Sequence, residues 1–162
     1  MPLLVRKISK AKWYQIDIEN NNDVKADAVT NCLKTTKNSL SVWRIESEDD
    51  LDEAVLALVS NQDHLDTIDV VILEESTLIG YKLNIVASPG DTPVESLIEA
   101  HRDIADLTFT NLGLVKDHIV ERIRKHKIKR YTIGSLKKLL KVAIEKGMLN
   151  KTGLKESVQN KI

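Results

Sequence analysis

Apolar positions recur along this chain with two different periods, and each change of period marks an expected element boundary. Leu3 to Ile8 reads as a short strand, and Trp13 to Ile18 as a second, because Ile16 and Ile18 alternate with Gln15 and Asp17. Asp23 is placed to cap a helix in which Val24, Ala28, Val29, Cys32 and Leu33 share one face. Leu40 to Ile45 is rich in β-formers. Ser47 then stands where an N-cap belongs, with Glu48, Asp49 and Asp50 near the positive end of the helix dipole and Leu51, Val55, Leu58 and Val59 at helical spacing. Ile68 to Leu73 is almost continuously apolar and of strand length, the pattern of a strand buried on both faces. Strand, helix and buried strand within residues 40–73 predict a βαβ unit with parallel strands and a right-handed crossover.

Further along, Tyr81 to Val86 alternates as an outer strand. Thr92, Pro93, Val94 and Glu95 spell a capping box with proline at the first helical position, predicting a helix that buries Leu97, Ile98, Ile104 and Ala105 and stops near Asp106. Thr110 is placed to cap a helix with Leu112, Val115, Ile119 and Ile123 as its core stripe. Lys125 to Tyr131 reads as a basic connector. Thr132 or Ser135 opens a helix with Leu136, Leu139, Leu140, Ala143 and Ile144 inside, and Gly147 is placed to end it in a left-handed conformation. Leu154, Val158 and Ile162 continue as a short last helix. The fold class expected is α/β, a small mixed sheet containing at least one parallel βαβ unit. Residues 1–106 form the body, and a basic helical region over 107–162 packs on it.

Charge changes this picture. The formal total over 162 residues is zero, but residues 1–114 hold ten Lys or Arg against twenty Asp or Glu, and residues 115–162 hold fourteen against four. An acidic body and a basic tail of opposite net charge point to an electrostatic role for at least one of them. Composition adds only bounds: 42% hydrophobic and 30% charged residues are ordinary for a globular chain. No apolar run approaches the roughly 20 residues of a membrane span, and the first residues lack the long apolar stretch of a secretion signal. The one cysteine, Cys32, lies on an apolar helix face and suits a buried small hydrophobe in a reducing compartment. A cytoplasmic protein with no membrane partner is expected.

Candidate chemistry is sparse. His101, Arg102 and Asp103 match the start of a kinase catalytic loop, but that loop needs Asn where position 108 holds Thr. His101 instead reads as a hydrogen-bonded histidine at the edge of an apolar helix face, four residues after Leu97. His118 and His126 are eight apart with no cysteine pair or HExxH, and His64 sits between Asp63 and Asp66 in a turn, so no metal ligand is assigned. The six glycines form no phosphate-binding motif. No catalytic residue and no cofactor are assigned.

Two surfaces remain. Glu46, Glu74 and Glu75 would emerge together at the ends of parallel strands, near Asp49 and Asp50, as an acidic face or, alternatively, a Mg²⁺ site of a metal-dependent enzyme. Arg122, Arg124, Lys125, Lys127, Lys129, Arg130, Lys137, Lys138 and Lys141 make a basic face for a partner or for nucleic acid. Tyr131 is the sole aromatic among them, which gives single-strand stacking little support. The expected function is therefore a non-catalytic protein–protein interaction or adaptor subunit, docking on a partner or on a copy of itself, with nucleic-acid binding the alternative.

Overall fold

The computed structural model describes residues 1–14 and 17–162. One sheet contains β1 (Leu3–Ile8), β2 (Leu40–Ile45), β3 (Ile68–Glu74), β4 (Asn84–Ala87), β5 (His101–Ala105) and β6 (Ile128–Tyr131), in the order β4-β5-β2-β1-β3-β6. Every neighbouring pair is antiparallel. The helices are α1 (Lys10–Trp13), α2 (Ala26–Cys32), α3 (Leu51–Val59), α4 (Glu75–Gly80), α5 (Phe109–Arg124), α6 (Ile133–Glu145) and α7 (Glu156–Gln159), with short 3₁₀ turns between some of them.

The parallel βαβ unit expected over residues 40–73 does not form. β2 and β3 point the same way and α3 connects them, but β1 lies between, antiparallel to both: Val5 faces Trp43 on one side and Ile72 on the other. The cause lies in β1 itself. Leu4 and Val5 point to opposite faces of the sheet and both are wholly buried, so this strand belongs in the interior, where both of its hydrogen-bonding edges need partners. Two strands that share a direction satisfy both edges at once. β3 is interior as its apolar run implies, with β6 on its far side.

The sheet has helices on both faces. On one, α3, α6 and the segment through Leu149, Leu154 and Val158 pack over Val5, Trp43, Ile45, Val70 and Ile72. On the other, α2, α4 and α5 cover Leu4, Val42, Val71, Leu73 and Ile104, through Cys32, Leu78, Val115, Ile119 and Ile123. Thr132 caps α6 by accepting from the Ser135 amide at 3.2 Å, and Gly147 follows it with φ of 73°. Cys32 is a buried free thiol, as expected, and its Sγ accepts from the Ser9 amide.

Five further expectations need correction. Trp13 ends a helix rather than beginning a strand, and Gln15 and Ile16 lie outside the described residues. Residues 75–80 are helical, so the outer strand begins at Asn84 instead of Tyr81. The helix expected over 92–106 is a 3₁₀ segment, Glu95–Ala100, followed by β5. Lys125 to Tyr131 contains β6 rather than a plain connector, and α5 is capped by Thr108 instead of Thr110. Among the described residues no helix is long and apolar enough to cross a membrane.

Candidate functional site

Strand order decides which cations face solvent. β6 is an edge strand and α5 packs against β3, so the nine basic positions divide into two groups. Arg122 is buried: its Nε donates to the Ile72 carbonyl at 2.6 Å and its Nη1 to Glu74 Oε1 at 3.0 Å. Arg124 donates to the Ile18 carbonyl. Lys125 pairs with Glu121 at 3.0 Å and Lys127 with Glu48 at 2.7 Å. Arg130 grips the buried Asp69, with Nε 2.8 Å from Oδ1, while its own side chain remains mostly in solvent.

The others are not committed in this way. Lys129 lies over the Tyr131 ring, 4.9 Å from its centroid. Lys137, Lys138 and Lys141 run along α6, the last two exposed, and among the described residues none of these four lysines pairs with a carboxylate. Between β6 and α6 opens a groove of about 370 Å³ whose walls include Lys129, Arg130, Lys138, Leu139 and Val142. At its floor the Tyr131 hydroxyl donates to Asp52 Oδ1 at 2.6 Å. Burial, reinforced by Asp52, pushes the Tyr131 phenol well above its usual range and keeps it a donor.

The three glutamates are brought to one end of the sheet, and each is paired with an arginine. Leu3 stands between Ile45 and Glu74, so β1 separates Glu46 from Glu74 and Glu75. Arg44 binds both Glu46 and Glu75, and Arg122 takes Glu74. Asp50 accepts from the Ser47 amide at 3.3 Å as part of a capping box, and Asp49 is exposed. Among the described residues no group of three or more His, Cys, Asp or Glu is arranged to hold a metal ion.

His118, wholly buried on α5, accepts from the Glu74 amide through Nε2 at 2.9 Å, while its Nδ1 lies 3.5 Å from Glu121 Oε2. Burial lowers its pKa, and the Glu121 carboxylate only partly offsets this. An unfolded histidine takes up a proton below about pH 6.5. The folded one resists it, so the unfolded state binds more protons there and stability falls as pH falls through that window. His118→Gln keeps an acceptor for the Glu74 amide and removes the ionisation. Between about pH 7 and about pH 5.5 the denaturation midpoint of the parent protein is expected to drop more than that of the variant. Equal slopes would show that His118 carries no such linkage.

One polar cluster escapes the sequence altogether. His101 lies on β5, not on a helix, and is only 9% exposed. Its Nε2 hydrogen-bonds Ser41 Oγ on β2, and its Nδ1 is 2.9 Å from Ser88 Oγ, which in turn donates to Asp103 Oδ2 at 2.8 Å. The Trp43 ring packs edge-on against the imidazole, with centroids 5.0 Å apart. No signal in the chain joins Ser41 and Ser88 to His101, because the pairing of β2 and β4 with β5 creates the cluster. Comparison with protein-family models, with curated proteins and with solved structures returns no match for this chain.

Proposed function

We propose that this protein is a docking subunit that receives an extended, acidic segment of a partner protein in the groove between β6 and α6. The observation that carries the reading is the coincidence of an unpaired sheet edge with lysines that have no carboxylate partner. In an antiparallel pair alternate residues face the neighbouring strand, so β6 leaves a row of backbone donors and acceptors outward, the template for strand addition. Lys129 and Lys138 supply complementary charge beside that row, and Leu139 with Val142 supplies an apolar wall. Such charge steers encounter and selects partners more than it adds affinity.

A foreign partner fits better than the protein's own acidic face, because Arg44 and Arg122 already neutralise Glu46, Glu74 and Glu75. Nucleic acid fits less well than an acidic peptide. The Tyr131 face is covered by Lys129, which removes the stacking platform for unpaired bases. Cytoplasmic residence agrees with a buried, unpaired Cys32.

The test uses a fluorescent ten-residue peptide of alternating Glu and Val and, in parallel, a duplex oligonucleotide. Peptide binding is expected to weaken with salt and to fall by at least about tenfold, or roughly 1.4 kcal/mol, in the triple variant Lys129→Glu, Lys138→Glu, Lys141→Glu. Binding that is absent, or indifferent to the reversal, would overturn the reading. Tighter binding of the duplex would transfer the surface to nucleic acid.

A further inference from the structure

The Ser41–His101–Ser88–Asp103 cluster lies toward the other edge of the sheet from the docking groove, and its hydrogen bonds fix where every proton sits. Asp103 as a carboxylate only accepts, so the single proton of Ser88 Oγ is committed to it across 2.8 Å. Ser88 Oγ must then accept from His101 Nδ1 at 2.9 Å. The Ser88 carbonyl, 3.2 Å from the same nitrogen, is also an acceptor only. Nδ1 therefore carries the hydrogen. Nε2 is left with a bare lone pair directed at Ser41 Oγ, and the Ser41 proton points to it. This is the arrangement of an activated hydroxyl: a nucleophile on a base, and the base oriented by a third group.

Ser41 is exposed, while His101 is almost wholly enclosed. They meet at the wall of a pocket of about 280 Å³, where Trp43 and Leu58 present apolar surface and the Asn61 and Gln62 side chains lie nearby. Among the described residues neither of those side-chain amides makes a hydrogen bond, so both retain N–H donors for an oxyanion. Asp91 also faces this space, and its charge disfavours anionic acyl groups.

We propose that Ser41 is a nucleophile with His101 as its general base, and that this pocket hydrolyses uncharged carboxylic esters with small acyl groups. In the first step Ser41 Oγ forms a bond to the ester carbonyl carbon as its proton passes to His101 Nε2. The carbonyl electron pair moves onto oxygen, facing Asn61 and Gln62. Collapse of this intermediate breaks the bond to the alkoxy oxygen, which leaves as the alcohol with the proton from Nε2. Water then attacks the acyl group, giving its proton to Nε2, and Ser41 recovers that proton as the carboxylic acid departs. Asp103, acting through Ser88, stabilises the imidazolium and is a positioning residue.

The experiment uses the full chain with a fluorophosphonate probe and with p-nitrophenyl acetate. Mass spectrometry is expected to place the phosphonyl group on Ser41 of the folded protein and not on a heat-denatured control. Ser41→Ala should lose both the label and ester turnover with an unchanged melting temperature, and His101→Gln should lower turnover by on the order of a hundredfold or more. Asp103→Asn should lower kcat at unchanged KM, and Ser88→Thr should retain activity that Ser88→Ala loses. Absence of label on Ser41, or ester turnover equal in Ser41→Ala and the parent, would overturn the proposal.

Discussion

Val5→Asp is expected to abolish folding. Val5 is wholly buried at the middle of β1, and its cross-strand neighbours on either side, Trp43 and Ile72, offer a carboxylate neither a cation nor a place in the sheet ladder. In the unfolded chain that carboxylate is hydrated, whereas in the native sheet it would lie beneath α3 within the cluster formed by Ile45, Val55 and Val59. Burying an unpaired charge costs several kcal/mol even after relaxation, and the valine contribution of about 1.5–3 kcal/mol is lost as well. Together these rival the roughly 5–15 kcal/mol that holds a whole domain. The measurement is far-UV circular dichroism with a thermal melt, Val5→Ile serving as a conservative control. A Val5→Asp protein that melts cooperatively within a few degrees of the parent would contradict the central position of β1.

Gly90→Ala should lower the melting temperature and disorganise the Ser41 cluster together. A Cβ at position 90 would lie 2.7 Å from Trp43 Cζ3 and 2.8 Å from His101 Cβ, closer than real methyl groups approach. Neither neighbour yields easily, since Trp43 and His101 face each other across the β2–β5 pairing and are both buried. The loop is held from its other side, where the Gly90 amide donates to the Ile98 carbonyl at 2.9 Å. Overpacking of this kind costs about 1–3 kcal/mol, which is roughly 3–10 °C for a chain of this size. Gly113→Ala provides the opposite sign. It lies within α5 with nothing inside 4 Å of the added carbon, and relief of glycine's backbone entropy should stabilise by about 0.5–1 kcal/mol. Differential scanning calorimetry on both variants decides the matter. A Gly90→Ala protein as stable as the parent would show that the loop accommodates the methyl group. Fluorophosphonate labelling of the same protein reports whether His101 has moved.

Where a residue's fate depends on its chain neighbours, the sequence was informative. Leu136, Leu140 and Ala143 recur at helical spacing and line the buried face of α6. The apolar run from Ile68 to Leu73 is an interior strand, and Gly147 takes the left-handed conformation that ends a helix. The segment over 92–106 shows the limit of local signals. Thr92 Oγ1 does accept from the Val94 amide, at 3.3 Å, but it also bonds Ser60 Oγ at 3.0 Å. His101 to Ala105 pairs with β2 on one side and β4 on the other, and bonding along both edges outweighs a helix-start preference worth at most about 2 kcal/mol. β6 was hidden in a different way. Its lysine and arginine are what an exposed edge strand carries to discourage aggregation, and in one dimension they read as a solvated connector.

Charge and chemistry were legible only as inventory. The basic stretch was visible, but its division into cations that bind Glu48, Asp69 and Glu74 and lysines left without carboxylates rests on contacts between residues 48 to 79 positions apart. Ser41 and His101 are separated by 60 positions. Periodicity is a property of adjacent residues, so it placed β1, β2, β3 and the apolar faces of α3, α5 and α6 but not β5 or β6, whose strand state depends on pairing with distant segments. Strand order is a competition among segments for unsatisfied edges, so only the tertiary structure decided that β1 enters between β2 and β3 and that Ser41 meets His101.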